Sequence, residues 1–242
     1  MPEHFVFALM EAARSAKALG IPSISVIEFG VASGSGLLCL EKTAYVIENE
    51  VGINIEVYGF DLESGLPTPK DYRDLPYTWK PGFFKMDRKS LEKKLTKATL
   101  VLGDVADTAP KFFDEYKPAP IGFIVFDLDF YSSTKDAFKL LESKNLNNFL
   151  PRTYCFFDDI IGDNEEIHCE YVGELLAIRE FNEAHEHKKL CKINGLRHKL
   201  KGDQAWYDQL YVLHLFNHPL YCQYIREAPD WQLPLSPSAS AY

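Results

Sequence analysis

Positive charge is what this chain is short of: 26 Lys and Arg stand against 35 Asp and Glu in 242 residues, a formal net charge of −9. A surface of that sign repels phosphate backbones, which argues against a nucleic-acid partner unless a local basic patch exists. The best such patch, Arg88 to Lys97, carries Leu91 and Leu95 at helical spacing, and a solvated amphipathic helix explains it more simply. Cysteine is sparse as well. The five (Cys39, Cys155, Cys169, Cys191, Cys222) are odd in number with no C-x-x-C pair, a usage that fits reduced thiols rather than a disulfide framework. No apolar run approaches the roughly 20 residues that span a bilayer, and no signal-peptide pattern opens the chain. A soluble, cytoplasmic protein away from membranes is the expectation. There is no internal repeat and no sign of a second domain.

What is present is enough apolar sequence, 46%, to bury one full α/β core. Residues 1–226 are expected to form that domain, with a long insertion over about 62–98 and a Pro/Ser-rich tail over 227–242. Phe5, Leu9, Ala12, Ala13 and Ala16 predict an amphipathic helix over 5–19, stopped at Gly20-Ile21-Pro22. Strands are predicted at 24–29, 53–60, 99–102, 121–126 and 153–157, with helices over 37–49 and 165–187. Segments 190–197 and 208–216 read as a closing pair of strands. The insertion holds Pro67, Pro69, Pro76, Pro81, Trp79, Phe83 and Phe84. It reads either as a lid or substrate wall, or as a packed surface loop.

Every predicted strand of the first five ends on an acid or a glycine. In an open parallel sheet those ends share one edge, and ligands bind there, where the strand order reverses. The first of these exits is Val26-Ile27-Glu28-Phe29-Gly30-Val31-Ala32-Ser33-Gly34-Ser35-Gly36. A strand, a tight turn and a helix N-terminus in succession are the opening of a nucleotide-type site. The spacing is G-x-x-x-G-x-G, whereas a dinucleotide turn requires G-x-G-x-x-G. With Glu28 two residues ahead of Gly30, the pattern resembles motif I of the class I S-adenosylmethionine (SAM) methyltransferases. Glu28, Gly30, Gly34 and Gly36 are therefore candidate cofactor-binding residues, Gly30 because backbone must approach a ligand closely there. Asp61, ending the second strand, stands where a nucleoside's ribose hydroxyls would be accepted. Asp104, after the third, is a candidate for an adenine amino group or a plain turn former.

The densest chemistry is Asp127-Leu128-Asp129 together with Asp158-Asp159, at the exits of two strands that should be neighbours. Asp127 and Asp129 share a face if the strand persists that far. Carboxylates converging with no Lys or Arg adjacent repel and raise one another's pKa. Two readings fit. A divalent oxygen-loving cation such as Mg²⁺ resolves the repulsion, and helix N-capping explains one acid at each site.

Four ordered stretches, Tyr58–Pro67, Gly103–Pro110, Asp127–Lys135 and Phe156–Asp159, resemble the macrocin O-methyltransferase (TylF-type) family, and with the glycine turn they cover about residues 24–162. Leu62-Glu63-Ser64-Gly65 stands where the family usually has Ser-Phe-Glu-Gly, and Leu128 where it often has Gly. The resemblance implies an α/β, Rossmann-like class I methyltransferase fold. That fold has a mostly parallel seven-stranded sheet with an antiparallel C-terminal strand, and helices on both faces. It also implies SAM as methyl donor and Mg²⁺ or another divalent cation gripping vicinal hydroxyls of a sugar or related natural product. Asp127, Asp158 and Asp159 would be the metal ligands and Asp129 the general base. The expected partner is a small hydroxylated acceptor, with a homo-oligomer also compatible. Two rivals stay open: a metal-dependent glycosyltransferase using Asp-x-Asp, which leaves the glycine turn unexplained, and a non-catalytic SAM-fold protein, which has no need of all four aspartates.

Overall fold

In the computed structural model, which describes residues 1–226, seven strands form one sheet in the order β3-β2-β1-β4-β5-β7-β6. The strands are β1 (Ser23–Phe29), β2 (Asn54–Asp61), β3 (Thr99–Leu102), β4 (Ile121–Phe126), β5 (Phe149–Phe157), β6 (Lys188–Lys192) and β7 (Leu210–Leu215). The first five run parallel. β7 is antiparallel to both of its neighbours, β5 and β6. The strand order reverses between β1 and β4, which creates a crevice at their C-terminal ends. The tail expected over 227–242 lies outside the described residues. Among the described residues no helix is long and apolar enough to cross a membrane.

β4 reads as an unbroken apolar run, and β1 is buried from Ile24 to Phe29, because both faces of a central parallel strand are covered. Side chains alternate between two layers, with period two along the strand. Ile24 and Val26 join Phe5, Leu9 and Ala12 of α1 (Glu3–Ala18) and Leu37 and Leu40 of α2 (Ser35–Ile47). Ile27 and Phe29 face the opposite layer, with Phe112, Phe138 and Phe181. Helices therefore cover both faces.

One row of rings matters for the site. Phe126 stacks on Phe29 with centroids 5.4 Å apart and on Phe157 at 4.7 Å, across three adjacent strands. All three are buried, and each such ring is worth roughly 2–3 kcal/mol of burial. They immediately precede Gly30, Asp127 and Asp158, so an apolar floor fixes the polar residues that leave the strand ends.

The remaining helices are short except one: α3 (Arg88–Glu92), α4 (Val105–Thr108), α5 (Phe112–Tyr116), α6 (Tyr131–Ala137), α7 (Gly173–Ala184) and α8 (Leu196–Lys199). The basic stretch from 88 is thus a five-residue helix, capped by Asp87 accepting from the Ser90 amide, rather than a helix reaching Lys97. The helix expected over 165–187 is confined to α7. Ile167 adopts a left-handed φ of 50°, and Glu166 turns to pair with His168 at 2.7 Å, which no helical geometry allows. At the other end the His185 ring closes the helix on the Phe181 carbonyl at 2.9 Å, so His185 and His187 are not helical. β5 begins four residues earlier than expected. Its register against β4 slips near Pro151, which has no N–H for the ladder, and the Thr153 hydroxyl donates to the Ile121 carbonyl instead.

Candidate active site

A cavity of about 320 Å³ opens at the crevice, in the size range of a small-ligand site. Its floor is Phe29 and Phe60, and its acids are Asp61, Asp104, Asp127, Asp129, Asp158 and Asp159, with no Lys, Arg or His among the lining residues. Leu62, Gly65, Leu66, Pro67, Trp79 and Phe84 of the insertion form the outer wall, with Trp79 and Phe84 in edge contact at 5.6 Å.

The glycine turn is built differently from expectation. Gly30 has φ 87°, and a Cβ there would meet the Asp127 carbonyl oxygen at 1.7 Å. The absence of a Cβ at Gly30 lets the ends of β1 and β4 approach closely, and the same residue lines the cavity. A Cβ on Gly36 would fall 2.0 Å from Glu28 Oε1, so that glycine makes room for the acid two strand residues before the turn. Glu28 is buried beneath the turn, and its Oε2 has no partner. Burial, with Asp61 and Asp158 adding repulsion, holds its carboxyl well above the usual range. Asp61 clamps the turn from outside: its Oδ2 accepts from the amides of Val31 (3.0 Å) and Ala32 (2.8 Å), and its Oδ1 from Glu63 (2.6 Å). Asp104 is exposed at the mouth and caps α4 by accepting from the Ala106 amide at 2.9 Å. The turn-forming alternative for Asp104 is therefore realised, whatever else it binds.

Asp127, Asp158 and Asp159 each offer a carboxylate oxygen within 4.8 Å of the others. Two ligands of one Ca²⁺ at about 2.3–2.6 Å stand at most about 5 Å apart, and of one Mg²⁺ about 4 Å, so this donor set fits a single oxygen-loving cation with little adjustment. Asp127 is half-buried, Asp158 exposed at the rim and Asp159 buried. Burial first, then mutual repulsion, holds Asp127 well above the usual carboxylate range. Burial also raises Asp158, and pushes Asp159 up to about 7 despite the Asp129 amide that it accepts. Like charges brought this close out of water raise one another's pKa.

β4 ends at Phe126, so Asp127 and Asp129 do not alternate along a strand as expected. Asp129 sits in a left-handed turn, φ 58°, with its amide donating to Asp159 Oδ2 at 2.7 Å. Its carboxyl, buried and beside Asp159 and Asp158, is pushed up to about 9. Neither Asp129 nor Ser132 caps α6, whose N-cap is Phe130 with no side-chain bond. The capping alternative therefore fails for Asp129.

Two residues that sequence reasoning passed over complete the arrangement. Asp74, fully buried in the insertion, caps α6 from another element: Oδ1 accepts from the Ser132 amide at 2.8 Å, and Oδ2 from the Ser132 hydroxyl at 2.9 Å and the Lys70 amide at 2.8 Å. It ties the cavity's outer wall to the segment bearing Asp129. Glu174, fully buried in the first turn of α7, accepts from the Asp159 amide at 3.2 Å through Oε2. An acid at a helix start is an ordinary capping signal, which hides this role in the sequence. Asp74 gives no local signal, because its partner lies 58 residues away.

Solved structures share this architecture. CalS11, a calicheamicin methyltransferase, is 23% identical with a TM-score of 0.59, the match covering 86% of this chain and 77% of that one. The O-methyltransferase NovP is 13% identical with a TM-score of 0.52, over 87% of this chain and 79% of that one. At such identities the likeness is one of fold, and the chain has the Rossmann-like class I methyltransferase fold, with six parallel strands and one antiparallel. No family model matches the chain, and no curated protein does.

Proposed function

We propose that this chain transfers a methyl group from SAM to a hydroxyl of a small acceptor, assisted by a divalent cation. The observation that carries the reading is the set of carboxylates from Asp127, Asp158 and Asp159 within 4.8 Å of one another, lining the same cavity as the glycine turn. Its support from likeness is that the two solved structures named above are methyltransferases, one of them an O-methyltransferase. The finer resemblance to the macrocin O-methyltransferases points to vicinal hydroxyls of a sugar or related natural product. A glycosyltransferase reading of Asp127-Leu128-Asp129 finds no support in the fold.

Gly30–Gly36, Asp61 and Asp104 would hold SAM, with Glu28 beneath the turn acting through it, and SAM supplies a methyl group on a positively charged sulfur. The lining of six aspartates without a single cationic side chain favours such a charge. Asp127, Asp158 and Asp159 would hold the cation, which supplies positive charge that lowers a hydroxyl's pKa and fixes its orientation. The chain's own residues bind, orient and accept the proton. With a cation offsetting the burial and repulsion that otherwise keep its carboxyl protonated, Asp129 would be a carboxylate in the same cavity and would take the hydroxyl proton. Trp79 and Phe84 exclude water from the acceptor side and pack against its apolar faces.

Calorimetry with SAM and S-adenosylhomocysteine tests the donor, and bound ligand raises the melting temperature. Transfer from methyl-labelled SAM to a panel of polyhydroxylated small molecules, with Mg²⁺ or with chelator, tests the rest. Absence of SAM binding overturns the reading, and full transfer after chelation removes the cation from it.

A further inference from the structure

Glu174 has no place among the converging carboxylates, yet it lies behind them. Its side chain is fully buried, Oε2 holds the Asp159 amide at 3.2 Å, and Oε1 has no partner at all. Satisfying one amide does not call for a carboxylate, since a Gln oxygen would accept the same bond. Burying a carboxyl with one oxygen unpaired is costly unless a positive charge compensates it. The groups that face it electrostatically are Asp159, Asp127 and Asp158, the same three whose oxygens converge. A divalent cation held by those three would place compensating charge nearest to Glu174, and no Lys, Arg or His lines the cavity to supply it instead.

We infer that Glu174 is a positioning residue of the divalent-cation site, an inference that rests on the cation assigned under the proposed function. It acts through Asp159 in two ways. Its Oε2 fixes the Asp158–Asp159 peptide, so that both carboxylates turn toward Asp127. With the cation bound, its carboxylate would add a fourth negative group behind the ligands and raise the site's affinity for a doubly charged ion. Side chains that back metal ligands in this way commonly change affinity by about 10- to 100-fold when altered.

The test is Mn²⁺ binding, followed by calorimetry and by electron paramagnetic resonance on SAM-free protein, for wild type and Glu174→Gln. Gln preserves the shape and still accepts from Asp159, while its amide nitrogen donates toward the neighbouring acids. The expected result is Mn²⁺ affinity weakened about tenfold or more, unchanged SAM affinity, and a cation-free melting temperature equal to or above wild type. A merely structural Glu174 gives the opposite pair: a lower melting temperature with Mn²⁺ affinity intact. If wild type binds Mn²⁺ and the Gln protein binds it equally, this inference alone is overturned. If wild type binds no Mn²⁺, the cation reading falls and takes the inference with it. Should the Gln protein fail to fold, Glu174→Asp decides. With the charge kept and the reach shortened, Mn²⁺ binding is expected to weaken roughly three- to tenfold, and unchanged affinity overturns the role.

Discussion

Stripping divalent cations and raising the pH from 5 to 7 is expected to remove about 3 kcal/mol of folding stability through Asp159 alone. The cause is Asp159, 8% exposed, whose carboxyl burial pushes up to about 7, with the Asp129 amide opposing and Asp158 adding to the rise. In the unfolded chain the same group titrates near 4. Between those values the folded state keeps a proton that the unfolded state has lost. Stability is then fully present below about pH 4, falls by about 1.4 kcal/mol per pH unit above it, and levels off above about 7. Two units amount to about 3 kcal/mol, or about 6–12 °C in melting temperature for a chain of this size. Asp129, pushed up to about 9 chiefly by burial, adds a decline of similar slope across the same range that continues to about pH 9. A bound divalent cation favours the charged carboxylates instead, so millimolar Mn²⁺ should flatten or reverse the slope. Urea unfolding at pH 5, 6, 7 and 8, with chelator and with Mn²⁺, measures both slopes. Equal stability of the chelated protein at pH 5 and 8, or a slope that Mn²⁺ leaves unchanged, would refute the electrostatic account of these carboxylates.

Gly30→Ala should cost about 2–5 kcal/mol, because a Cβ clashes with the Asp127 carbonyl in a left-handed backbone, whereas Gly52→Ala, equally left-handed but in open space, should cost only about 1–2 kcal/mol. Urea midpoints of the two variants compare them directly, and equal losses would discount the β1–β4 contact. Asp74→Ala strips the cap from α6 and leaves the buried Ser132 hydroxyl and amide unpaired, an expected loss of about 2–4 kcal/mol, with Asp74→Asn losing less. Asp129→Asn suits a left-handed backbone and keeps its amide bond to Asp159, so the fold and Mn²⁺ affinity should hold while kcat drops about 10²- to 10⁴-fold. Turnover at the wild-type rate would remove Asp129 as the base.

Local pattern determined much of this protein. β-branched and aromatic runs marked β1 to β4 to within a residue or so. Placing an acid or glycine at each strand exit needed no coordinates either, because a parallel sheet gathers its C-terminal ends on one edge. The boundaries that slipped were those governed by distant or off-pattern contacts: Glu166 with His168 ahead of α7, and Pro151 shifting the β4–β5 register.

What only the tertiary structure decided is which atoms meet. Gly30 and Gly36 are marked as turn glycines by spacing alone, but that a side chain there would meet the Asp127 carbonyl and the Glu28 carboxylate is decided by the fold. Asp61 looks like a free acceptor until the Val31 and Ala32 amides occupy its Oδ2. Asp74 and Glu174 carry no signal of their own. Their partners, Ser132 and Asp159, lie 58 and 15 residues away, and a buried carboxylate reveals its role only through the amides and charges the fold brings to it.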